Sequence, residues 1–267
     1  MSCLCSNPFP RLLGPVAFAA ALAFSTAGCN TTQPPNGALS IASAPHSDAD
    51  WRRSAEAWGD RYRASPANAE AAINYAQALR GMGQRSQAAA VLEQASIQNP
   101  KHTGVRGAHG RALADAGHYQ QALDVLNRAQ TPDQPDWRIL SLQGAVLDQV
   151  GRHDEARRYY ATALRIAPDE PSVLSNLGLS YALSKDLVRA ESTLRRASTQ
   201  ARADGRVRQN LALVVGLQGR FTEAESIARA DLPSDEAAAN VTYLRQMLAQ
   251  QNGWKQPGQP AVKANGG

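Results

Sequence analysis

The sequence predicts an all-α fold, a right-handed solenoid of stacked helix pairs, and three observations carry that expectation. Alanine recurs at one fixed interval, as Ala88, Ala122, Ala156, Ala190 and Ala224, each 34 residues from the next. A second set of small residues keeps the same period: Ala76, Gly110, Gly144, Gly178 and Ala212. Between the two runs Gly83, Gly117, Gly151 and Gly219 fall where a turn is needed, with Lys185 filling the fourth slot. A unit of this length cannot bury its apolar face alone, so the core must form between stacked neighbours.

Composition agrees with a folded chain. With 43% hydrophobic and 19% charged side chains over 267 residues, there is enough apolar surface for a core along most of the length, which excludes a wholly disordered protein. The formal net charge of +5 and a pI near 9.3 would suit nucleic acid or an anionic membrane as partner. The arginines, however, alternate with acids, as in GRHDEARR (151–158), and no basic run reaches five. Such a pattern is a solvated helical surface, so no nucleic-acid partner is expected.

Taken in order, residues 1–28 have the features of an export signal. Arg11 precedes the apolar stretch LLGPVAFAAALAF, which meets small residues and a cysteine. The stretch is short and alanine-rich for a membrane span. Thr26-Ala27-Gly28-Cys29 resembles a bacterial lipobox, in which the cysteine becomes the lipidated N-terminus; Thr26 departs from the leucine most common there. The alternative is an ordinary signal cut near Ala27, with Cys29 incidental. Cys3 and Cys5 lie inside the signal, so lipidation of Cys29 leaves no spare thiol and no disulfide. By analogy with such lipoproteins, Asn30 after the cysteine favours the outer membrane, periplasmic face. Residues 29–48, rich in Pro, Ser, Thr, Asn and Gly, read as the lipidated start of a flexible tether.

Helical periodicity begins near Asp50. Trp51, Ala55, Trp58 and Tyr62 share a face, so residues 49–66 are expected as an N-terminal capping helix. Five repeats follow over 67–233, at about 69–102, 103–136, 137–170, 171–204 and 205–233. Their period is that of the tetratricopeptide repeat (TPR). The eighth position of each is small. The twentieth is the recurring alanine, and the twenty-seventh is Ala95, Ala129, Ala163, Ala197 and then Asp231. The twenty-fourth supplies bulk in Leu92, Leu126, Tyr160 and Leu194. In the fifth repeat Ala228 and Asp231 stand where bulk and a small residue belong, as terminal repeats allow. Residues 234–251 open on a Ser-x-x-Glu-like start after Pro233 and carry Val241, Leu244 and Leu248 at helical spacing, a C-terminal capping helix. Residues 252–267 are expected as a disordered tail in which Trp254 docks locally at most.

Chemistry is scarce. The histidines at 46, 102, 109, 118 and 153 form no i, i+4 pair and join no acidic ligand motif, so no metal or cofactor is expected. Gly178-Leu-Ser180-Tyr-Ala182 approaches a nucleophile elbow, but that motif needs a preceding strand and a terminal glycine. The chain is therefore read as a non-enzyme. In the TPR family the first helices line a concave groove through positions 2, 5, 6, 9, 12 and 13. Those positions place Arg80, Arg111, Arg138 and Asp148 in one half. The other half receives Ser175, Asn176, Leu179, Leu183, Arg206, Gln209, Asn210, Leu213 and Leu217. A groove polar at one end and apolar at the other suits an amphipathic helix or an extended peptide. Arg206 with Asn210 resembles half of a carboxylate clamp, but Ser175 and Leu179 replace the other half.

A closer resemblance rests on SNLGLSYALSKDLVRAESTLRRAS and on RVRQNLALVVGLQGRFTEAESIARADLPSDEAAANVTYLRQML. These segments resemble the TadD family, TPR lipoproteins of tight-adherence (Flp) pilus assembly, most densely over 137–250. The resemblance implies a scaffold that works beside the secretin and its partner proteins, in a system akin to type II secretion. A general envelope adaptor and a cytosolic co-chaperone would share the repeats and remain as alternatives.

Overall fold

The computed structural model describes residues 47–130 and 135–254, the last four as helix only. The expected signal, Cys29, the tether and the tail beyond 254 lie outside those residues, as does the side chain of Trp254. Among the described residues all regular structure is helical, in twelve helices.

The first, α1 (Asp48–Ala64), starts on a capping box in which Ser47 and Asp50 each accept from the other's backbone N–H. Five pairs follow: α2 (Ala69–Gly81) with α3 (Arg85–Gln98), α4 (Thr103–Asp115) with α5 (Tyr119–Ala129), α6 (Trp137–Gln149) with α7 (His153–Ile166), α8 (Pro171–Leu183) with α9 (Leu187–Ser198), and α10 (Gly205–Leu217) with α11 (Phe221–Ala228). The chain closes on α12 (Ser234–Trp254).

Local chemistry sets the start and stop of each pair. Asn68, His102, Asp136 and Asp204 accept through their side chains from the first turns of α2, α4, α6 and α10, while α8 begins on Pro171. Each first helix ends in a Schellman turn whose left-handed residue is Gly83, Gly117, Gly151, Lys185 or Gly219. The next amide reaches back five residues, as from Gln84 to the Leu79 carbonyl at 2.8 Å and from His118 to that of Leu113 at 2.8 Å.

Within a pair, the small eighth position is set by the side chain it faces. A Cβ on Gly110 would stand 2.5 Å from Leu126, on Gly144 2.6 Å from Tyr160, and on Gly178 2.6 Å from Leu194. In the second, third and fourth repeats the large twenty-fourth residue therefore lies directly on the small eighth, and both are buried. The fifth pair departs from this rule, as its sequence does. Ala212 meets Ala228, α11 is short, and the missing bulk comes from α12, where Ala237 joins that cluster and Leu244 fills the space over Gly216. Ser234 lies inside α12 and the helix starts from the Pro233 carbonyl, which accepts from the Ala237 amide at 2.9 Å, so the expected serine cap does not form. At the other end α1 packs on α2, with the Trp51 indole over Gly81 and Tyr62 against Tyr75 at 5.9 Å between ring centres. No described helix is long and apolar enough to cross a membrane.

Candidate protein-binding groove

The first helices stack on one another, α2 on α4, α4 on α6, α6 on α8 and α8 on α10, and so form one continuous wall. Polar bonds between neighbours tie that wall together at a sequence separation one residue longer than the repeat. Asn176 donates to Ser141 Oγ at 3.1 Å, Asn210 donates to Ser175 Oγ at 2.9 Å, and Arg80 is ion-paired with Asp115. In each case a residue meets its neighbour's counterpart one position on, because successive first helices are offset by about one residue. The rungs stop at Gln209, whose next partner by this rule would be Leu244. Gln209 Nε2 is left buried without a hydrogen bond, and so is Asn210 Oδ1.

The ladder changes the roles of several residues expected on the groove face. Asn210 is 6% exposed and Ser175 5%; both hold α8 to α10 and offer little to a ligand. Asn176 is half-buried and occupied by Ser141. Asp148 is a larger correction. It is 8% exposed and points into the stack, where it accepts from Tyr160 Oη at 2.9 Å and Ser180 Oγ at 2.8 Å, with His153 Nδ1 at 2.8 Å. A buried carboxylate is tolerable only when its oxygens are satisfied, and these three donors satisfy it while clamping α6, α7 and α8. Burial, and then the charge of Asp148, raise the Tyr160 phenol pKa further above its ordinary value.

Ser, His and Asp converge here without the geometry of a nucleophile. Ser180 bonds the carboxylate rather than the imidazole, and it is 0% exposed, so no substrate reaches it. His109 is likewise buried, its pKa lowered by burial against the opposing pull of Glu93. His102 caps α4, a role its position before Thr103 would have suggested. Among the described residues no group of His, Cys, Asp and Glu is placed to hold a metal.

What remains open on the wall divides into two halves. In the first, Arg80 is paired, Arg138 stacks on the Trp137 ring at 4.4 Å and is otherwise exposed, and Arg111 makes no hydrogen bond or ion pair among the described residues. The Arg111 side chain is exposed, with part of its length against neighbouring protein. That desolvation first, then the like charge of Arg80, lower its pKa against the pull of Asp115; Arg206 also lowers it. Arg206 thus lies within electrostatic reach of Arg111 although it belongs to the last pair. In the second half Leu179, Leu213 and Leu217 are half-buried and Leu183 is 55% exposed, and none of the four belongs to a core cluster. Asp115, the acid paired with Arg80, stands at position 13 of the second repeat, a position that spacing already assigns to the groove.

Comparison with known proteins matches two separate stretches of the chain. Residues 52–129 match a family described as anaphase-promoting complex, cyclosome, subunit 3, and residues 149–214 one described as tetratricopeptide repeat. A stretch of 132 residues, 49% of the chain, is 26% identical to the BBSome complex member BBS4 of Bos taurus and spans 25% of that protein's length. Similar solved structures include a thermophilic TPR protein of Thermus thermophilus, with a TM-score of 0.56 at 20% identity over 62% of this chain and 91% of that one. A tetratricopeptide repeat protein of Parabacteroides merdae aligns with a TM-score of 0.63 at 14% identity over 73% and 78%. PilW, described as a widely conserved type IV pilus biogenesis factor, aligns at 0.59 and 16% identity over 73% and 91%. At these identities the likeness is one of fold.

Proposed function

We propose that this chain, a tetratricopeptide-repeat protein, is a lipid-anchored scaffold at the periplasmic face of the outer membrane, binding partner proteins in the assembly and secretion of tight-adherence (Flp) pili and supporting the secretin complex. The observation that carries the binding role is the wall of first helices, where cationic and leucine side chains stand outside every core cluster. The system is suggested by the resemblance of residues 137–250 to TadD lipoproteins, and the shared fold with PilW, described as a pilus biogenesis factor, is in keeping with it. The anchor rests on Cys29 and its surroundings, since two or three acyl chains hold a protein to a membrane where one is marginal.

Deleting the gene should abolish surface pili and leave other envelope functions intact. Normal piliation would sink the pilus reading, and general envelope defects would favour a broader adaptor. Cys29→Ser should move the protein from the membrane to the soluble periplasmic fraction; equal solubility of both forms in the cytosol would rule out the anchor.

A further inference from the structure

We infer that the cleft between α3 and α5, turned away from the inner wall, takes a lysine side chain of a partner protein, its stem along Ala89, Ala90 and Val125 and its ammonium on His109 Nε2, Glu93 and Asp124. His109 stands two residues before Arg111, about 200° round α4, so the helix points one of them into the cleft and the other to the wall. The cleft stays open whatever the wall binds.

Packing makes the cleft. α3 and α5 each lie on α4 and not on one another, so α4 floors a channel between them. Where α3 has Ala89, the later second helices carry the long side chains of Leu123, Arg157 and Glu191. Where α4 has His109, the later first helices carry Gln143, which is bonded to Asn127, and then Leu177 and Leu211. The small residues of α3 leave about 430 Å³ open above the imidazole, room for a long side chain.

The buried ring selects the ligand. His109 is 8% exposed, and its Nδ1 meets Ser96 Oγ at 3.3 Å. Its Nε2 bonds to nothing among the described residues, yet it is not sealed from the cleft that the ring lines. Burial, against the pull of Glu93, lowers the His109 pKa, so the ring is neutral near pH 7. With Nδ1–H given to Ser96, a lone pair faces outward. On one side stands Glu93, which makes no hydrogen bond or ion pair among the described residues, and on the other Asp124, whose carboxylate accepts from Gln120 at 3.2 Å. Arg128, also in the lining, is held through its Nε to the Asp124 carbonyl at 3.1 Å. Exposed acids alone bind little in water; a buried lone pair with a carboxylate on either side calls for a donor that carries positive charge. Acceptors on three helices suit the three N–H bonds of an ammonium, whereas the donors of a guanidinium lie in one plane. Ala89, Ala90 and Val125 suit the methylenes of lysine. A single buried acceptor calls for one ammonium, which lysine carries and a free diamine exceeds.

The probe is the capped peptide acetyl-Gly-Lys-Gly-amide, titrated in the millimolar range into the full chain with isotope-labelled histidines and followed by nitrogen NMR of the His109 ring, which is assigned by its loss in His109→Gln. The free ring should show a protonated Nδ1 and a bare Nε2, and the peptide should shift Nε2 along a saturable curve. Glu93→Gln should weaken that binding about tenfold, the size of one charged hydrogen bond. Ala90→Leu, at an exposed position, should abolish it by filling the cleft and leave the thermal midpoint unchanged. A protonated Nε2, the lack of a saturable shift, or undiminished binding in Ala90→Leu would overturn the site. Equal binding of the same peptide with norleucine or glutamate for lysine would remove the ammonium, and equal binding with arginine would remove the choice of lysine. Tighter binding of free cadaverine would replace the partner protein with a small amine.

Discussion

At the residue scale, the stack depends on a contact between one small and one large side chain. Gly144 lies under Tyr160, itself 1% exposed and tied through its hydroxyl to Asp148. The ring cannot retreat without leaving that carboxylate short of a donor, so added volume at 144 must push helices apart. Gly144→Leu is expected to destabilise the protein by roughly 1–3 kcal/mol through overpacking. Gly144→Ala should lie at the lower end of that range, because its Cβ alone would meet the ring at 2.6 Å. An unchanged thermal melt for Gly144→Leu would refute the contact. Repeat one shows the limit of the rule: Ala76 and Leu92 are buried in one core cluster, so a methyl is accommodated at that slot.

At the element scale, turns and inter-helix ion pairs set what each pair contributes. Lys185 holds the left-handed turn conformation, φ +64°, that glycine takes in the other four repeats. A Cβ on those glycines would touch nothing within 4 Å, so the penalty at this slot is one of backbone alone. Lys185→Gly should stabilise the protein by about 0.5–1 kcal/mol, and Gly151→Ala should destabilise it by about as much, both read by urea denaturation. Further along, Glu191 of α9 binds Arg220, which precedes α11, together with Gln218 and Arg195. The Arg220 bond, aided by the other two and opposed by burial, holds the Glu191 carboxyl down to about 2 from its ordinary 4.5. A depressed carboxyl contributes stability that is complete above its unfolded value and disappears as pH falls through its folded value. Wild type should therefore lose stability between about pH 4.5 and pH 2 more steeply than Glu191→Gln, measured by thermal midpoint against pH. Parallel curves would show that the pair is screened out.

At the scale of the whole molecule, each pair touches its neighbours and little else, so stability is a sum of units and interfaces. α12 is the element that closes one end, with Leu244 over Gly216 and Ala237 against Ala212 and Ala228. Removing residues 234–267 should expose that face and raise amide exchange first in α10 and α11, while α4 to α7 keep most of their protection. Uniform loss of protection over the chain would mean that the stack melts as one cooperative body.

The sequence by itself determined the helix pairs, their turns and the alternation of small and large core residues, because those depend on contacts within one repeat, where spacing along the chain translates directly into position in space. It also marked the divided character of the inner wall through Arg80, Arg111 and Arg138 on one side and Leu179, Leu183, Leu213 and Leu217 on the other. Only the tertiary structure decided which of the polar candidates are free. Asp148, Ser175 and Asn210 occupy groove positions by their number in the repeat, yet the one-residue offset between successive first helices turns Ser175 and Asn210 onto each other, and Tyr160, His153 and Ser180 hold Asp148 inside the stack. That offset is set by packing between repeats, which the period of a sequence does not encode.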